Sequence, residues 1–389
     1  MNSQEPVEST SEDHLAIGHD YREQLQSRAA QDKENPYGLL AYPGLTKLLV
    51  MANFPEIKAS LKASIPELTE EQIYDVINKL VTSQSKNSKY DSPVGHAIVE
   101  ELALQIEEEA KRQGIDLRSG VSYGIEYIRE AVAQTSPLIG YDTTSVLLIT
   151  AGFIDFCHVL AKLLASTFPA VQDGDRIAVS HDPEAVRQKL IEQPHLAAAW
   201  RNLFVGQQVN VSPLIENPLH PLEVPSYLML LSAMESFAVA HEYGHHICRH
   251  SLNGVATADG ISTENSFAHE FEADRLAVRI TNGIFSGTGN IYGQYGLGAI
   301  IFLVVRDIAS RGKSLATTGT LGPESDGEHP PIQERIDAII TEVKQRLTID
   351  DSTYFMILIK NVIESLTLLQ EVFLSSIAAN EGAKNGFRS

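Results

Sequence analysis

The chain has 389 residues and a formal net charge of −20 at pH 7. That length suits one large domain or two of ordinary size with a real hydrophobic core, and it leaves the oligomeric state open. Because binding to phosphates needs clustered Lys and Arg, the acidic balance argues against a nucleic-acid partner. Hydrophobic residues make up 43% of the chain and charged residues 21%, as is usual for a globular protein.

Nothing in the sequence indicates secretion or a membrane span. The first residues, MNSQEPVESTSEDH, lack the basic and apolar regions of a signal peptide. The most apolar run, 296–305, is far shorter than the ~20 residues that a span needs, and we predict a buried helix there. Cys157 and Cys248 cannot form a disulfide framework. We therefore predict a cytoplasmic protein without an integral membrane segment.

The first third of the chain is predicted to be helical after a disordered tail. Residues 1–35 are polar and charged, which is typical of disorder. Thr69 to Gln72 match a capping box at the start of a helix, and a second helix is predicted to end at Gly114. A third helix is predicted over 121–134.

The remaining chain begins with a strand and continues mostly as helices. Residues 144–150 are β-branched and apolar, which predicts a strand. Residues 170–225 are rich in Pro, Asn and Asp, which is typical of an irregular insertion. A strongly apolar helix follows and runs through His250. The fold class predicted from this order is α+β, mainly α with a small β-sheet.

The most informative segment is His241-Glu242-Tyr243-Gly244-His245, an HExxH motif on the apolar helix. Residues four apart lie on one helix face, so His241 and His245 can bind one tetrahedral zinc ion. Glu242 can then act as general base on the water in the open position. Tyr243, His246 and the two cysteines are predicted to be packing residues.

A third ligand is needed, and its position separates the classes of zinc peptidase. A metzincin would need Gly at 248 and His at 251, where this chain has Cys248 and Ser251; His250 lies one residue early and is predicted to be a packed histidine. Downstream, Glu270 and Asp274 share one face of a second helix. Glu270 is the predicted third ligand, and Asp274 is predicted to accept the second N–H of a ligand histidine.

These segments resemble the gluzincin metallopeptidases, in particular the family of the CAAX prenyl endopeptidase and the HtpX heat-shock protease. The similarity rests on HEYGH, on EFEADRLA from Glu270, and on HPPIQERI from His329. The strand formed by Val146, Leu147, Leu148 and Ile149 is similar to the family's edge strand. The order of strand, HExxH, ExxxD and HPP is the same.

The resemblance implies further roles. His329 would stabilise the oxyanion of the tetrahedral intermediate, and Arg335 would support its segment. The strand with Val146, Leu147, Leu148 and Ile149 would pair with an extended protein or peptide substrate. A prenylated substrate is not implied, because this chain lacks the family's membrane helices.

On this interpretation the chain has a disordered tail (1–35), a helical N-terminal region (36–138), a zincin-like catalytic domain (139–347) and a C-terminal helix packed on it (348–389). It binds one zinc ion per chain. Only 24 residues separate His245 from Glu270, fewer than in that family, so a Lit-type peptidase stays an alternative. The other two alternatives are a non-catalytic, zinc-stabilised peptide-binding module and a protease kept latent by its insertion.

Overall fold

The structure is a computed structural model, and its fold is mainly helical with a small mixed sheet, as the sequence predicted. It describes residues 11–32, 58, 62, 68–82, 88, 90–91, 93–128, 131–138, 141–174, 176–204, 219–250, 263–320, 329–347 and 349–386. The chain divides into two compact units, the first formed by residues 1–156 and 238–262 and the second by residues 157–237 and 263–389.

The first unit contains a three-stranded sheet in the order β1-β3-β2. Strand β1 is Val121–Glu126, β2 is Ala133–Leu138 and β3 is Tyr141–Thr150. Strand β1 runs parallel to β3, whereas β2 is antiparallel to it. Residues 121–134, where we predicted a helix, therefore include β1 and the start of β2. Val121 and Ile125 are buried, so this apolar run packs as a strand.

The central position of β3 contradicts one predicted role. Val146, Leu147, Leu148 and Ile149 are all paired on both sides, with β1 and with β2. Their backbone groups already bond to neighbouring strands, so they cannot pair with an extended substrate. The prediction of a substrate edge strand at these residues is wrong, and they form part of the buried core instead.

A helix covers much of the predicted disordered tail. Helix α1, Ser11–Gln31, packs its Ile17, Tyr21 and Leu25 against Val146 and Leu148 of the sheet. The prediction of disorder is wrong over these residues, because the polar side chains between the apolar positions bond to the body of the unit. His14 Nδ1, for example, lies 2.7 Å from Thr143 Oγ1. Residues 1–10 and 33–35 lie outside the described part of the chain.

Two further helices complete the first unit before its last segment. Helix α2, Glu70–Thr82, begins with the predicted capping box, in which Thr69 and Gln72 exchange hydrogen bonds of 2.8 and 3.1 Å. Helix α3, Pro93–Arg112, ends at Gly114, whose φ of 72° lets the chain leave the helix in the left-handed conformation. The predicted helical N-terminal region is therefore only partly helical, because strands β1 and β2 follow α3.

The second unit is built from helices and one hairpin. The hairpin pairs β4, Ala170–Asp173, with β5, Arg176–Val179. The described helices after β3 are α4 Ala151–Thr167, α5 Pro183–Glu192, α6 Pro194–Phe204, α7 Val224–Ile247, α8 Thr263–Phe285, α9 Ile291–Gln294, α10 Leu297–Thr318, α11 Ile332–Lys344 and α12 Ile349–Gly386. The first residues of α4, up to 156, and the last residues of α7, from 238, belong to the first unit. The predicted insertion at 170–225 thus contains regular elements up to residue 204, and residues 205–218 lie outside the described part of the chain.

Small residues let α10 approach its neighbours closely. A Cβ at Gly298 would lie 2.7 Å from the Cβ of Ala233, and a Cβ at Gly312 would lie 2.7 Å from the carbonyl oxygen of Phe204. The C-terminal helix α12 packs against α10, α5 and α6. Its segment Asp351–Phe373 is long and apolar enough to cross a membrane, by length and composition only, and 44% of that window is buried. Since the core helix of a soluble protein passes the same test, this is weak evidence for a span.

Candidate metal centre

The HExxH motif lies in the last two turns of α7, after a run of buried residues. Phe237, Ala238, Val239 and Ala240 are all buried, which fixes the helix before the first histidine. The helix ends soon after the second histidine, where Arg249 adopts a left-handed φ of 61°. This reversal is rare for a residue other than glycine, and it turns the following residue back toward the helix.

The two motif histidines present their rings to each other. His241 Nε2 and His245 Nε2 are 3.1 Å apart, and the ring centroids are 4.7 Å apart at an interplanar angle of 83°. Two imidazole nitrogens bound to one tetrahedral zinc ion at its usual bond length would be about 3.3 Å apart. The spacing of the two rings therefore fits a shared metal ion.

Glu270 completes the predicted ligand set. It lies on α8 and is only 7% exposed. One ligand atom each from His241, His245 and Glu270 can be chosen so that all three lie within 4.8 Å of one another. The structure therefore brings together the three residues that the sequence predicted, and this cluster could hold a metal ion. Two nitrogens and one carboxylate oxygen are a donor set that zinc accepts.

His250 has a role that the sequence analysis missed. Its Nδ1 lies 3.0 Å from Nδ1 of His245, and the side chain is buried. Since the Nε2 of His245 faces His241, a hydrogen bond at its other nitrogen fixes the orientation of the ring. His250 follows His245 by five residues, a spacing that places two side chains on different faces of a regular helix. The left-handed conformation of Arg249 allows the contact between them.

The carboxylate of Glu242 is held by the edge of the sheet. The backbone N–H of Thr135 donates to Oε2 of Glu242 over 2.8 Å, and the Thr135 hydroxyl donates to the Glu242 carbonyl over 3.0 Å. Thr135 belongs to β2, which pairs on one side with β3. The predicted general base therefore has a fixed orientation, and its partner comes from an edge strand of the described sheet.

Charged groups surround Glu270 within the second unit. Arg335 donates two hydrogen bonds of 2.7 Å to the carboxylate of Asp274, which is fully buried. The same guanidinium lies 3.4 Å from Oε2 of Glu270. Nε2 of His329 is 4.0 Å from that oxygen, and its side chain is 40% exposed. Arg335 thus contacts both carboxylates of α8, whereas its predicted support of the His329 segment and the predicted bond from a ligand histidine to Asp274 stay predictions.

Two neighbouring residues in the motif anchor the helix rather than face a ligand. Tyr243 is fully buried, and its hydroxyl donates to Oε1 of Glu107 over 3.0 Å. His246 lies 2.8 Å from the hydroxyl of Ser145 and 3.1 Å from the carbonyl of Leu117. Burial lowers the pKa of His246 to about 4, so its ring is neutral at pH 7. The predicted packing role of both residues agrees with these contacts.

No protein family, no curated protein and no solved structure matches this chain. The similarity to gluzincin peptidases thus remains a prediction based on the motifs quoted above.

Proposed function

We propose that the protein is a zinc-dependent endopeptidase that hydrolyses peptide bonds in protein substrates. The observation that carries this proposal is the approach of His241, His245 and Glu270 to within 4.8 Å, with Glu242 adjacent to the first histidine. A purely structural zinc site has no need of a carboxylate at that position. On this proposal the arrangement would belong to a zincin-like domain of the gluzincin type that binds one zinc ion per chain.

His241, His245 and Glu270 would hold the zinc ion, and Glu242 would carry out the proton transfers. Zinc bound there would polarise the scissile carbonyl and lower the pKa of a water molecule toward ~7. Glu242 would accept the proton of that water as its oxygen bonds to the carbonyl carbon. The same carboxyl group would return the proton to the amide nitrogen when the C–N bond breaks, which leaves an amine and a carboxylic acid; transfer of the acid's proton then gives an ammonium and a carboxylate at neutral pH.

The edge strand that an extended substrate would use is β2 rather than β3. The N–H of Thr135 already donates to Glu242, so the backbone of β2 and the catalytic carboxylate are in direct contact. A substrate segment that paired with the free side of β2 would bring its peptide groups to this carboxylate. Pairing at Thr135 itself would compete for the N–H that Glu242 now accepts. That competition is the observation that favours a latent resting form.

Two other predicted residues keep supporting roles in the proposal. His329 is partly exposed and lies near Glu270, where it would donate to the developing oxyanion. Arg335 acts on the site through Asp274 and Glu270 and is a positioning residue. Cys157 is buried, and burial raises its pKa well above its usual range, so it carries no nucleophilic role. The proposal includes a cytoplasmic location, where disulfides are rare.

The proposal is tested by measuring metal content and peptidase activity on the same samples. Wild type, Glu242→Gln, Glu270→Ala and Glu272→Gln would be compared by elemental analysis after addition of zinc and by release of peptides from labelled casein. We expect one zinc in the wild type, loss of zinc in Glu270→Ala and retention in the other two. Glu242→Gln should lose activity by about 10³-fold or more, since general-base catalysis and orientation of the water are lost together.

The matched substitution at Glu272 tests which carboxylate of α8 holds the zinc. Glu272→Gln should keep both the zinc and the activity, because Glu272 is exposed, in contrast to the buried Glu270. Full activity in Glu242→Gln would refute the mechanism, and a zinc-stabilised binding module would then be the better interpretation. Absence of metal in the wild type after zinc addition would refute the metal centre itself.

A further inference from the structure

The backbone groups of β2 point alternately to β3 and to the opposite side. Just before β2, Val132 donates its N–H to the hydroxyl of Thr150 and accepts the N–H of Thr150 at its carbonyl, both over 2.9 Å. Because successive residues of a strand face opposite sides, Gln134 and Ser136 also direct their backbone groups to β3. The residues between them face outward, to a side on which the described sheet has no strand.

Two outward-facing residues agree with this alternation. Pro137 has no N–H, and a proline is tolerated in a strand where its nitrogen faces away from the neighbouring strand. The N–H of Thr135 donates to Oε2 of Glu242 over 2.8 Å. Ala133 precedes Thr135 by two residues, so it also directs its N–H and carbonyl outward. The outer edge of β2 thus has two N–H groups, one of which is bonded to the proposed general base.

Thr135 holds Glu242 by two separate bonds within the first unit. Besides the N–H, its hydroxyl donates to the backbone carbonyl of Glu242 over 3.0 Å. This hydroxyl bond joins β2 to α7 without involving the carboxylate. The bond from the N–H ends on a carboxylate oxygen, and such charge-assisted bonds are roughly twice as strong as neutral ones. The carboxylate can therefore exchange its partner while the strand and the helix stay in place.

We propose that Thr135 makes the proposed peptidase selective for extended substrate segments, because it holds the carboxylate of Glu242 until such a segment takes its N–H. This inference rests on the proposed function and names its substrate class. A segment that pairs with β2 is anchored by the N–H and carbonyl of Ala133, and its next carbonyl on that side accepts the N–H of Thr135. The carboxylate of Glu242 is then released to bind the attacking water.

A dipeptide lacks this anchor. Paired strands bond through every second residue, so a segment that bonds to both Ala133 and Thr135 needs at least about three residues. A dipeptide makes only one of these contacts, and its neutral carbonyl competes alone with a charged carboxylate for the N–H of Thr135. We therefore expect kcat/KM to be lower by about tenfold or more for a dipeptide than for a long chain.

The first test compares kcat/KM for labelled casein with kcat/KM for acetylated dipeptide amides, in the wild type and in two variants of Thr135. Thr135→Pro removes the outward N–H, at a position equivalent to Pro137. Thr135→Val is the matched control, since it keeps the N–H and the branched shape but lacks the hydroxyl. The ratio of casein to dipeptide should fall by about tenfold or more in Thr135→Pro, through a higher kcat for dipeptides and a higher KM for casein. It should stay within about twofold in Thr135→Val.

Amide hydrogen exchange in metal-free protein tests the same bond without any turnover. Glu242→Ala removes the acceptor and leaves β2 unchanged, so exchange at the N–H of Thr135, followed by NMR, should become faster by about tenfold or more. Added casein should slow this exchange again, because a paired segment supplies a new acceptor. Ser136 is the internal control, since its N–H faces β3 and should exchange within about twofold of the wild-type rate.

The two measurements separate failure of this inference from failure of the proposed function. Casein cleavage with an equal substrate ratio in wild type and Thr135→Pro would overturn the role of Thr135 and leave the peptidase intact. An equal fall of the ratio in Thr135→Val would assign the effect to the hydroxyl and overturn it as well. Exchange at Thr135 that is unchanged by Glu242→Ala would overturn the hold on the carboxylate, whether or not peptides are cleaved. No cleavage of either substrate by zinc-loaded protein would refute the peptidase, and with it the selectivity.

Discussion

The histidines of the candidate centre and its carboxylate are held by different kinds of interaction. Around the histidines the contacts are hydrogen bonds between rings, hydroxyls and backbone groups, such as His250 with His245 and His246 with Ser145. Around Glu270 the contacts are between charges, with Arg335 bonded to the buried Asp274 and close to Glu270. We call the surroundings of His241 and His245 on α7 the histidine region, and the surroundings of Glu270 on α8 the carboxylate region.

The difference predicts different sensitivity to substitution. Neutral rings are buried at modest cost, and burial keeps His246 neutral by lowering its pKa to about 4. A buried ion pair is expensive to form, and it is stable only while both partners are present. Single substitutions should therefore be severe in the carboxylate region and mild in the histidine region.

The largest effect is expected from Arg335→Met. This substitution leaves the buried charge of Asp274 without its two hydrogen bonds of 2.7 Å. The free energy of unfolding should fall by about 3–5 kcal/mol, as it does when one partner of a buried pair is removed. Urea unfolding at neutral pH, followed by circular dichroism, measures this change.

Two further variants show whether the effect comes from the buried charge. Replacing both partners, as Arg335→Met with Asp274→Leu, should recover part of the stability, because the charge of Asp274 is removed while Glu270 still loses the guanidinium 3.4 Å away. Arg346→Met removes an arginine whose 2.7 Å pair with Glu342 is partly exposed, and it should cost less than about 1 kcal/mol. A loss as large at Arg346 as at Arg335 would contradict the comparison.

The parts of the structure that the sequence predicted depend on short-range geometry. The capping box at Thr69 and the left-handed Gly114 follow from the nearest neighbours in the chain, and both are confirmed. The pairing of His241 with His245 follows from the period of a helix. Glu270 was identified because its own helix face also carries Asp274, and the cluster with the histidines is confirmed as a group that could hold a metal ion.

The errors arose where distant segments decide the structure. Ser11–Gln31 is polar enough to resemble a disordered tail, but its Arg22 and Gln26 bond to Asp91, far along the chain. The apolar run at 144–150 gave no indication of whether it lay in the middle or at the edge of a sheet, since the neighbouring strand β1 had been predicted as helix. The contact of His250 with His245 depends on a left-handed Arg249 that propensities disfavour.

The cost of keeping a histidine neutral can be measured without metal at His181, in the second unit. Burial lowers its pKa to about 4, and its Nε2 lies 2.8 Å from the hydroxyl of Tyr292. Because the folded state favours the neutral ring, the contribution of His181 to the free energy of unfolding is complete above the unfolded pKa of about 6.5. This contribution is lost as the pH falls toward 4. That loss should amount to about 3 kcal/mol.

His181→Gln removes the titration and keeps a polar group near Tyr292. We expect wild type and variant to differ most in their pH dependence: between pH 7 and pH 4 the wild type should lose about 3 kcal/mol more than the variant, measured by urea unfolding at several pH values. His246 titrates in both proteins, so its contribution cancels. A difference between the two proteins that does not change with pH would show that folding does not lower the pKa of His181.

The smallest effect is expected from Tyr243→Phe, within the motif itself. The substitution removes only the hydroxyl that donates to Glu107, and the partly exposed Glu107 can then bind water. The free energy of unfolding should fall by about 1 kcal/mol, the usual net value of one hydrogen bond. Zinc content and the rate of casein cleavage should stay within about twofold of wild type, because the hydroxyl contacts Glu107 and takes no part in the proposed proton transfer. A large loss of turnover with unchanged stability would instead make Tyr243 a donor to the oxyanion, and the histidine region would then be as sensitive to one substitution as the carboxylate region.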